Sequence, residues 1–203
     1  MELLGEIVRL QAQRASLKAG QAPRRYYDPS PITTVLALTL DDGGVTGHDA
    51  AGRPVPDVHH RDHPASRHRG ENGVSIGFTA HYDAMRARFG DHLTDGVAGE
   101  NILVRNEGLI GADSLGAGVV IVTADGRELR LGAAEVAEPC VEFSRHALRY
   151  ARDARSDAAV TAALTFLRHG MRGYYLTYTG ATDAEDARGV PACVRVGDRV
   201  YRI

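Results

Sequence analysis

Lysine is almost missing: Lys18 is the only one among 203 residues, although the chain carries 24 basic side chains. A Schiff-base enzyme needs a buried lysine to condense with a carbonyl. Lys18 falls in a polar N-terminal segment, so no pyridoxal phosphate held covalently by this chain is expected. Cysteine is nearly as scarce, with Cys140 and Cys193 alone. Two free thiols in a reducing cytosol are expected rather than a disulfide. No apolar run approaches the ~20 residues of a membrane span. The opening MELLGEIVRL has no cationic segment followed by a long apolar run, so no secretory leader is expected and the expected location is the cytoplasm. Strong charge is lacking too. A net charge of −2 excludes the global basic field that nucleic acid requires.

What the chain does have is a core. Its 43% apolar and 25% charged residues are ordinary for one globular domain, taken here as residues 1–203. Basic residues are nearly all arginine and alanine is frequent, a bias that points to a GC-rich, bacterial coding genome.

Short strands dominate the pattern. Leu4 to Leu10 and Ile32 to Leu40 read as strands, with a polar loop or irregular excursion from Gln11 to Pro31 between them. Asp41-Asp42-Gly43-Gly44 is a turn. From Val45 to Gly73 periodicity is absent, and a long polar loop is expected. Val74 to Phe78 is a short strand. Thr79 is a cap for a helix carrying Tyr82, Met85 and Phe89 on one face and ending at Gly90.

Gly116 to Val122 and Arg127 to Leu131 flank an Asp125-Gly126 hairpin turn. Ser144 to His169 reads as helical, its second half capped by Ser156 and closed by Gly170. Tyr174 to Thr179 is an aromatic strand, and Asp183 to Gly189 a charged loop. Gly197-Asp198 marks a last turn within Val194 to Ile203. Strands and helices do not alternate. The predicted class is mainly β, a closed or partly open β-barrel with two or three peripheral α-helices.

Two stretches carry the chemistry. Ala133 to Arg145, AAEVAEPCVEFSR, reads as a strand broken at Pro139 that presents Cys140 at its end. Gly96 to Val104, GVAGENILV, reads as a glycine-permitted turn, then Glu100-Asn101, then a short strand. The two are expected to meet at one site.

At that site Cys140 is a candidate thiolate, the form that acts as nucleophile and soft-metal ligand. Cys193, in an apolar strand, is read as core. Glu100 and Asn101 have two readings: direct ligand contact, or local hydrogen bonding that supports a turn. Arginine binds phosphate with a fork, which makes Arg69, Arg145 and Arg172 candidates. His59, His60, His63 and His68 lack the spacing of a zinc site and read as a solvated loop. His68 is the one with acid–base or ligand-positioning potential. Tyr174, Tyr175 and Tyr178 read as core or rim packing.

In order along the chain, several segments resemble the MOSC family, the domain related to the C-terminal part of molybdenum-cofactor sulfurases. Gly44-Val45-Thr46-Gly47, His68-Arg69-Gly70 before Val74-Ser75-Ile76, and GVAGENILV resemble its early motifs. Leu131-Gly132, Glu138-Pro139-Cys140, Arg172-Gly173-Tyr174 and Val196-Gly197-Asp198-Arg199-Val200 resemble its later ones. The chain departs from the pattern at His48, Arg69 and Gly73.

The resemblance implies a barrel of the MOSC and pyruvate-kinase β-barrel type, with the cysteine in an open pocket. It implies a molybdopterin-type molybdenum cofactor ligated by Cys140, flanked by Glu100, Asn101, Arg69, Arg145, Arg172 and His68. The activity implied is reduction of N-hydroxylated or similar small substrates, with a redox or cofactor-donor partner protein. The alternative is a sulfur carrier holding a persulfide on Cys140.

Overall fold

A computed structural model describes residues 1–151, 157–181 and 191–203. Strand β1 (Glu2–Gln13) is followed by the short β2 (Lys18–Ala19), β3 (Tyr26–Tyr27) and β4 (Ile32–Thr34). Next come β5 (Ala37–Asp41), β6 (Gly44–His48), β7 (Pro54–Pro56) and β8 (Val74–Phe78). Helix α1 (Thr79–Phe89), β9 (Ile102–Arg105), α2 (Ala112–Leu115), β10 (Gly118–Val122) and β11 (Glu128–Val136) form the middle. The chain closes with α3 (Val141–Ala147), α4 (Ala158–Leu167), β12 (Tyr174–Ala181), β13 (Ala192–Arg195) and β14 (Arg199–Arg202).

Seven strands ring one another in the order β14, β10, β11, β12, β8, β9, β1 and back to β14. Every pairing is antiparallel except β8 with β9. β4 pairs with the far end of β1, and β13, β5, β6 and β7 form a second sheet. The fold is mainly β and barrel-like. Four helices lie among the described residues, where two or three were expected; the extra one, α2, is a single turn.

The interior follows the strand alternation. Ile7, Leu10, Ile76, Phe78, Ile102, Val104, Val119, Ile121, Leu131 and Tyr174 fill the ring without exposure. A second cluster, with Tyr82, Met85, Leu93, Phe143 and Leu167, packs the helices against the outside. Glycine keeps two chains close where β12 begins. Gly173 has φ +89°, and a Cβ there would overlap the Ile76 carbonyl oxygen on β8. Gly173→Ala is expected to cost about 3 kcal/mol or more, from strain at positive φ plus displacement of backbone, measured as a lower urea midpoint.

Several expectations change. β1 runs three residues beyond Leu10, because Leu10 and Ala12 continue an inward alternation. Gln11 to Pro31 holds the β2–β3 ribbon rather than loop alone. The stretch from Val45 to Gly73 begins with a hairpin. β5 pairs with β6 and β6 with β7, buried valine packing holding what polarity concealed. Phe78, not Thr79, is the cap position of α1, and Thr79 Oγ1 instead accepts from the Asn106 N–H.

Arg127 to Leu131 and the strand toward Cys140 are one strand, β11. It ends at Val136, so Cys140 is not a strand-end residue but the cap position of α3. The helical stretch from Ser144 is two helices, with Arg149 at positive φ after the first. Ser156 lies outside the described residues; Asp157 is the cap, its side chain accepting from Val160 N–H. The loop Asp183 to Gly189 also lies outside them. Cys140 and Cys193 are free thiols. Cys193 is half-buried rather than core, since β13 turns its neighbours Ala192 and Val194 inward.

Candidate functional site

The two stretches singled out in the sequence line one cavity of about 530 Å³. Gly99 and Glu100 form one side, and Glu138 and Cys140 another. Tyr175 and Arg172, from the segment that begins β12, and His59, Arg67 and Arg69, from the long connection after β7, complete the wall. The cavity has the size of a site for a small cofactor or substrate.

Cys140 is half-buried. It follows Pro139, which cannot continue a ladder, and it precedes the first turn of α3, so its backbone is held on both sides. Ser144 N–H donates to the Cys140 carbonyl at 3.0 Å. Arg172 lies beside it. Its guanidinium donates to the backbone carbonyls of Glu138 and Ala98, each at 3.2 Å, and sits 4.6 Å over the Phe143 ring. No carboxylate among the described residues lies within ion-pair distance of it, and its Nε is buried without a hydrogen-bond partner. A cation in this state has charge and donor capacity left for an anionic ligand.

Glu100 is 3% exposed. Tyr82 donates its hydroxyl proton to Oε2 at 2.9 Å, and Oε1 is buried with no partner among the described residues. Burial pushes the carboxyl up to about 7 from its ordinary 4.5, against the opposing pull of the Tyr82 hydrogen bond and Arg172. The folded state therefore binds more protons here than the unfolded chain between pH 4.5 and 7. This group's contribution to stability is fully present below 4.5 and lost as pH rises through 7. Glu100→Gln keeps the shape and the Tyr82 acceptor. It is expected to flatten that part of the stability–pH curve and raise stability by roughly 3 kcal/mol above neutrality, read by urea unfolding across pH.

Asn101 does not line the cavity. Its Oδ1 accepts from Ser75 N–H and Oγ–H, both at 2.9 Å, and its Nδ2 donates to Asp57 Oδ2 at 2.8 Å and the Gln11 carbonyl at 3.3 Å. The amide is spent on tying β8, β1 and Asp57 together. His68 does not line it either; its Nδ1 meets the His59 carbonyl at 3.0 Å. Arg69 does, exposed, 3.8 Å from Glu71 and 5.9 Å from the Tyr175 ring centroid. Arg145 and His146 line a neighbouring cavity of about 270 Å³, which shares Arg25 and Tyr27 with the first. Lys18 lies on the main cavity wall, 3.7 Å from Glu142.

Asp57 carries no sequence signal of its own, and His59, read with its neighbours as part of a solvated loop, instead lines the cavity. Asp57 is fully buried in a stretch read as solvated loop. The one signal for the pair was the Asp-Val-His spacing, too short a pattern to separate from the histidine-rich surroundings.

No protein-family model matches the chain, and no curated protein matches it. Solved structures do. In fold the chain is similar to the YuaD protein of Bacillus subtilis. The TM-score is 0.55 at 17% identity, over 98% of this chain and 94% of that one. A second crystal structure, of a hypothetical protein, aligns with TM-score 0.53 and 11% identity over 98% of this chain and 66% of its own. YiiM from Geobacillus stearothermophilus aligns over 100% of this chain and 74% of its own at 12% identity, with a TM-score of 0.49. At such identities the likeness to YuaD establishes the fold alone. No helix among the described residues is long and apolar enough to cross a membrane.

Proposed function

We propose that the chain is a MOSC-type protein that binds a molybdopterin-type cofactor with Cys140 as metal ligand. Its activity would be reduction of N-hydroxylated or similar small substrates with electrons from a partner protein. One observation carries this reading. A half-buried thiol, a guanidinium with no carboxylate among the described residues within ion-pair distance, and a buried carboxyl group line a single cavity. The ordered sequence motifs that resemble the MOSC family point to the same residues.

The residues fit such a group. A thiolate is a soft ligand suited to a metal of this kind. Arg172, Arg67 and Arg69 supply cations for a phosphate. The Glu100 oxygen is an orphaned acceptor, or a donor when protonated, for a polar heterocycle. When bound, the cofactor would supply the two-electron chemistry, and the protein its placement. Arg172 would hold the anionic end of such a group, and Cys140 would be the ligand to its metal.

The test is elemental analysis of protein purified from a host that assembles molybdopterin. About one molybdenum per chain supports the reading, and none overturns it. A second reading, a sulfur carrier, rests on Cys140 being the cavity's only thiol, since Cys193 lies on β13 and does not line it. A persulfide on Cys140 would have no neighbouring thiol to discharge onto. It would add the mass of one sulfur atom to the peptide containing Cys140.

A further inference from the structure

We propose that His59 is the proton-transfer residue of the cavity and that Asp57 is its positioning residue. The proposal rests on the reading of the cavity as a cofactor and substrate site.

Asp57 is 0% exposed, and its two oxygens accept four hydrogen bonds. Oδ2 takes the Gln13 N–H at 2.7 Å and the Asn101 amide at 2.8 Å. Oδ1 takes the His59 N–H at 2.8 Å and meets the His59 ring Nδ1 at 2.9 Å. A carboxylate only accepts, so Nδ1 is the donor and carries the proton. That leaves Nε2 as the exchanging nitrogen. The ring lines the cavity with Cys140 and Tyr175, its side chain 18% exposed, and Nε2 has no partner among the described residues.

The orientation is held on every side. Asp57 is anchored to β1 through Gln13 and to the Glu-Asn corner through Asn101. The His59 carbonyl is met by His68 Nδ1, and the ring is tilted against Tyr175 at 6.5 Å between centroids. One buried carboxylate therefore links the cavity's ligand-facing histidine to the corner that carries Glu100. Buttressing of this kind sets the tautomer and the direction of an acid–base histidine.

The step balances as follows. An N-hydroxylated base, R–NHOH, loses its N–O bond, takes up two electrons and two protons, and leaves as R–NH2 and water. The electrons come from a partner electron-transfer protein by way of the bound cofactor. His59 relays one proton: Nε2 takes it up from solvent, giving an imidazolium whose Nδ1–H stays on Asp57, and passes it to the departing oxygen, which returns the ring to its Nδ1–H form; the second proton also comes from solvent.

Two measurements decide it. In 15N-labelled protein, long-range proton–nitrogen spectra are expected to show His59 with Nδ1 protonated, and Asp57→Asn is expected to shift it toward the Nε2–H form. In molybdenum-loaded protein, with reduced viologen as donor and an N-hydroxylated amidine as substrate, His59→Gln is expected to lower kcat about a hundredfold. KM and molybdenum per chain should stay unchanged. Asp57→Asn should lower kcat less, in step with its tautomer shift. A wild-type His59 with Nδ1 unprotonated overturns the proposal, as does a metal-loaded His59→Gln with wild-type kcat. A wild type without molybdenum, or loaded but without turnover, overturns the cofactor or substrate reading and this proposal with it.

Discussion

Cys140→Ala, purified from a host that assembles molybdopterin, is expected to hold a tenth or less of the molybdenum of the wild type, roughly the loss seen when a metal's protein ligands are disturbed. The thiol is the soft donor on the cavity wall, and neither the arginines nor Glu100 can replace it for a metal that prefers sulfur. The fold should be untouched. Cys140 caps α3 through its backbone carbonyl, with no side-chain cap bond, so the substitution removes one half-buried sulfur and its interaction with the neighbouring Glu142 carboxylate. A urea midpoint within about 0.5 kcal/mol of wild type is the control. Retention of metal by the variant would mean that Cys140 is not the ligand. Retention of the MOSC-like cavity with no metal in either protein would leave the persulfide reading to mass spectrometry.

Asp57→Ala is expected to produce the largest loss of stability, about 4 kcal/mol or more, read as a fall in the urea midpoint at neutral pH. Four donors converge on this carboxylate, and it has no exposure. Alanine would leave the Gln13 and His59 N–H groups and the Asn101 amide buried or half-buried without their acceptor, each a desolvation cost of about 1–3 kcal/mol. Asp57→Asn retains volume and one acceptor oxygen and should lose markedly less. Asp49 makes a useful contrast. It bonds Arg53 and nearby backbone N–H groups on the surface, and Asp49→Ala should leave the midpoint almost where it was. Equal effects at both positions would contradict the burial of the Asp57 corner.

The local signals that read well were those whose physics is local. Asp125-Gly126 forms the turn between β10 and β11, with Gly126 at φ +86°. Gly90 closes α1 at φ +106°, and the β-branched runs at Val74 and Gly118 are strands. Readings failed where tertiary burial overrode local character. Val45 to Gly73 looks polar throughout, yet Val45, Asp57, Val58, His60 and Asn72 are buried because β6 and β7 extend a sheet and the following chain folds over the cavity. The Cys140 segment looked like a strand because Pro139 can end one; it is a helix start because β11 has already stopped pairing at Val136.

The candidate site divides the same way. Cys140, Glu100, Arg172 and Arg69 were named from motif and residue chemistry, and they line one cavity. Arg145 went to another because α3 turns it away, and Asn101 and His68 stand behind the wall. Asp57 and His59 were invisible as a pair. Two residues apart in a loop, they say nothing until β1 and the Glu-Asn corner supply the Gln13 and Asn101 donors from 44 residues away on either side.

By itself the sequence determined that this is a β-rich chain with one lysine and two thiols, with glycine-marked turns and a proline-cysteine element as its reactive candidate. These follow from composition and nearest-neighbour backbone preference. Only the tertiary structure decided which polar residues leave water. That depends on donors and acceptors brought together by strand pairing over long separations, and a buried hydrogen bond has no imprint on the residues adjacent to it in the chain.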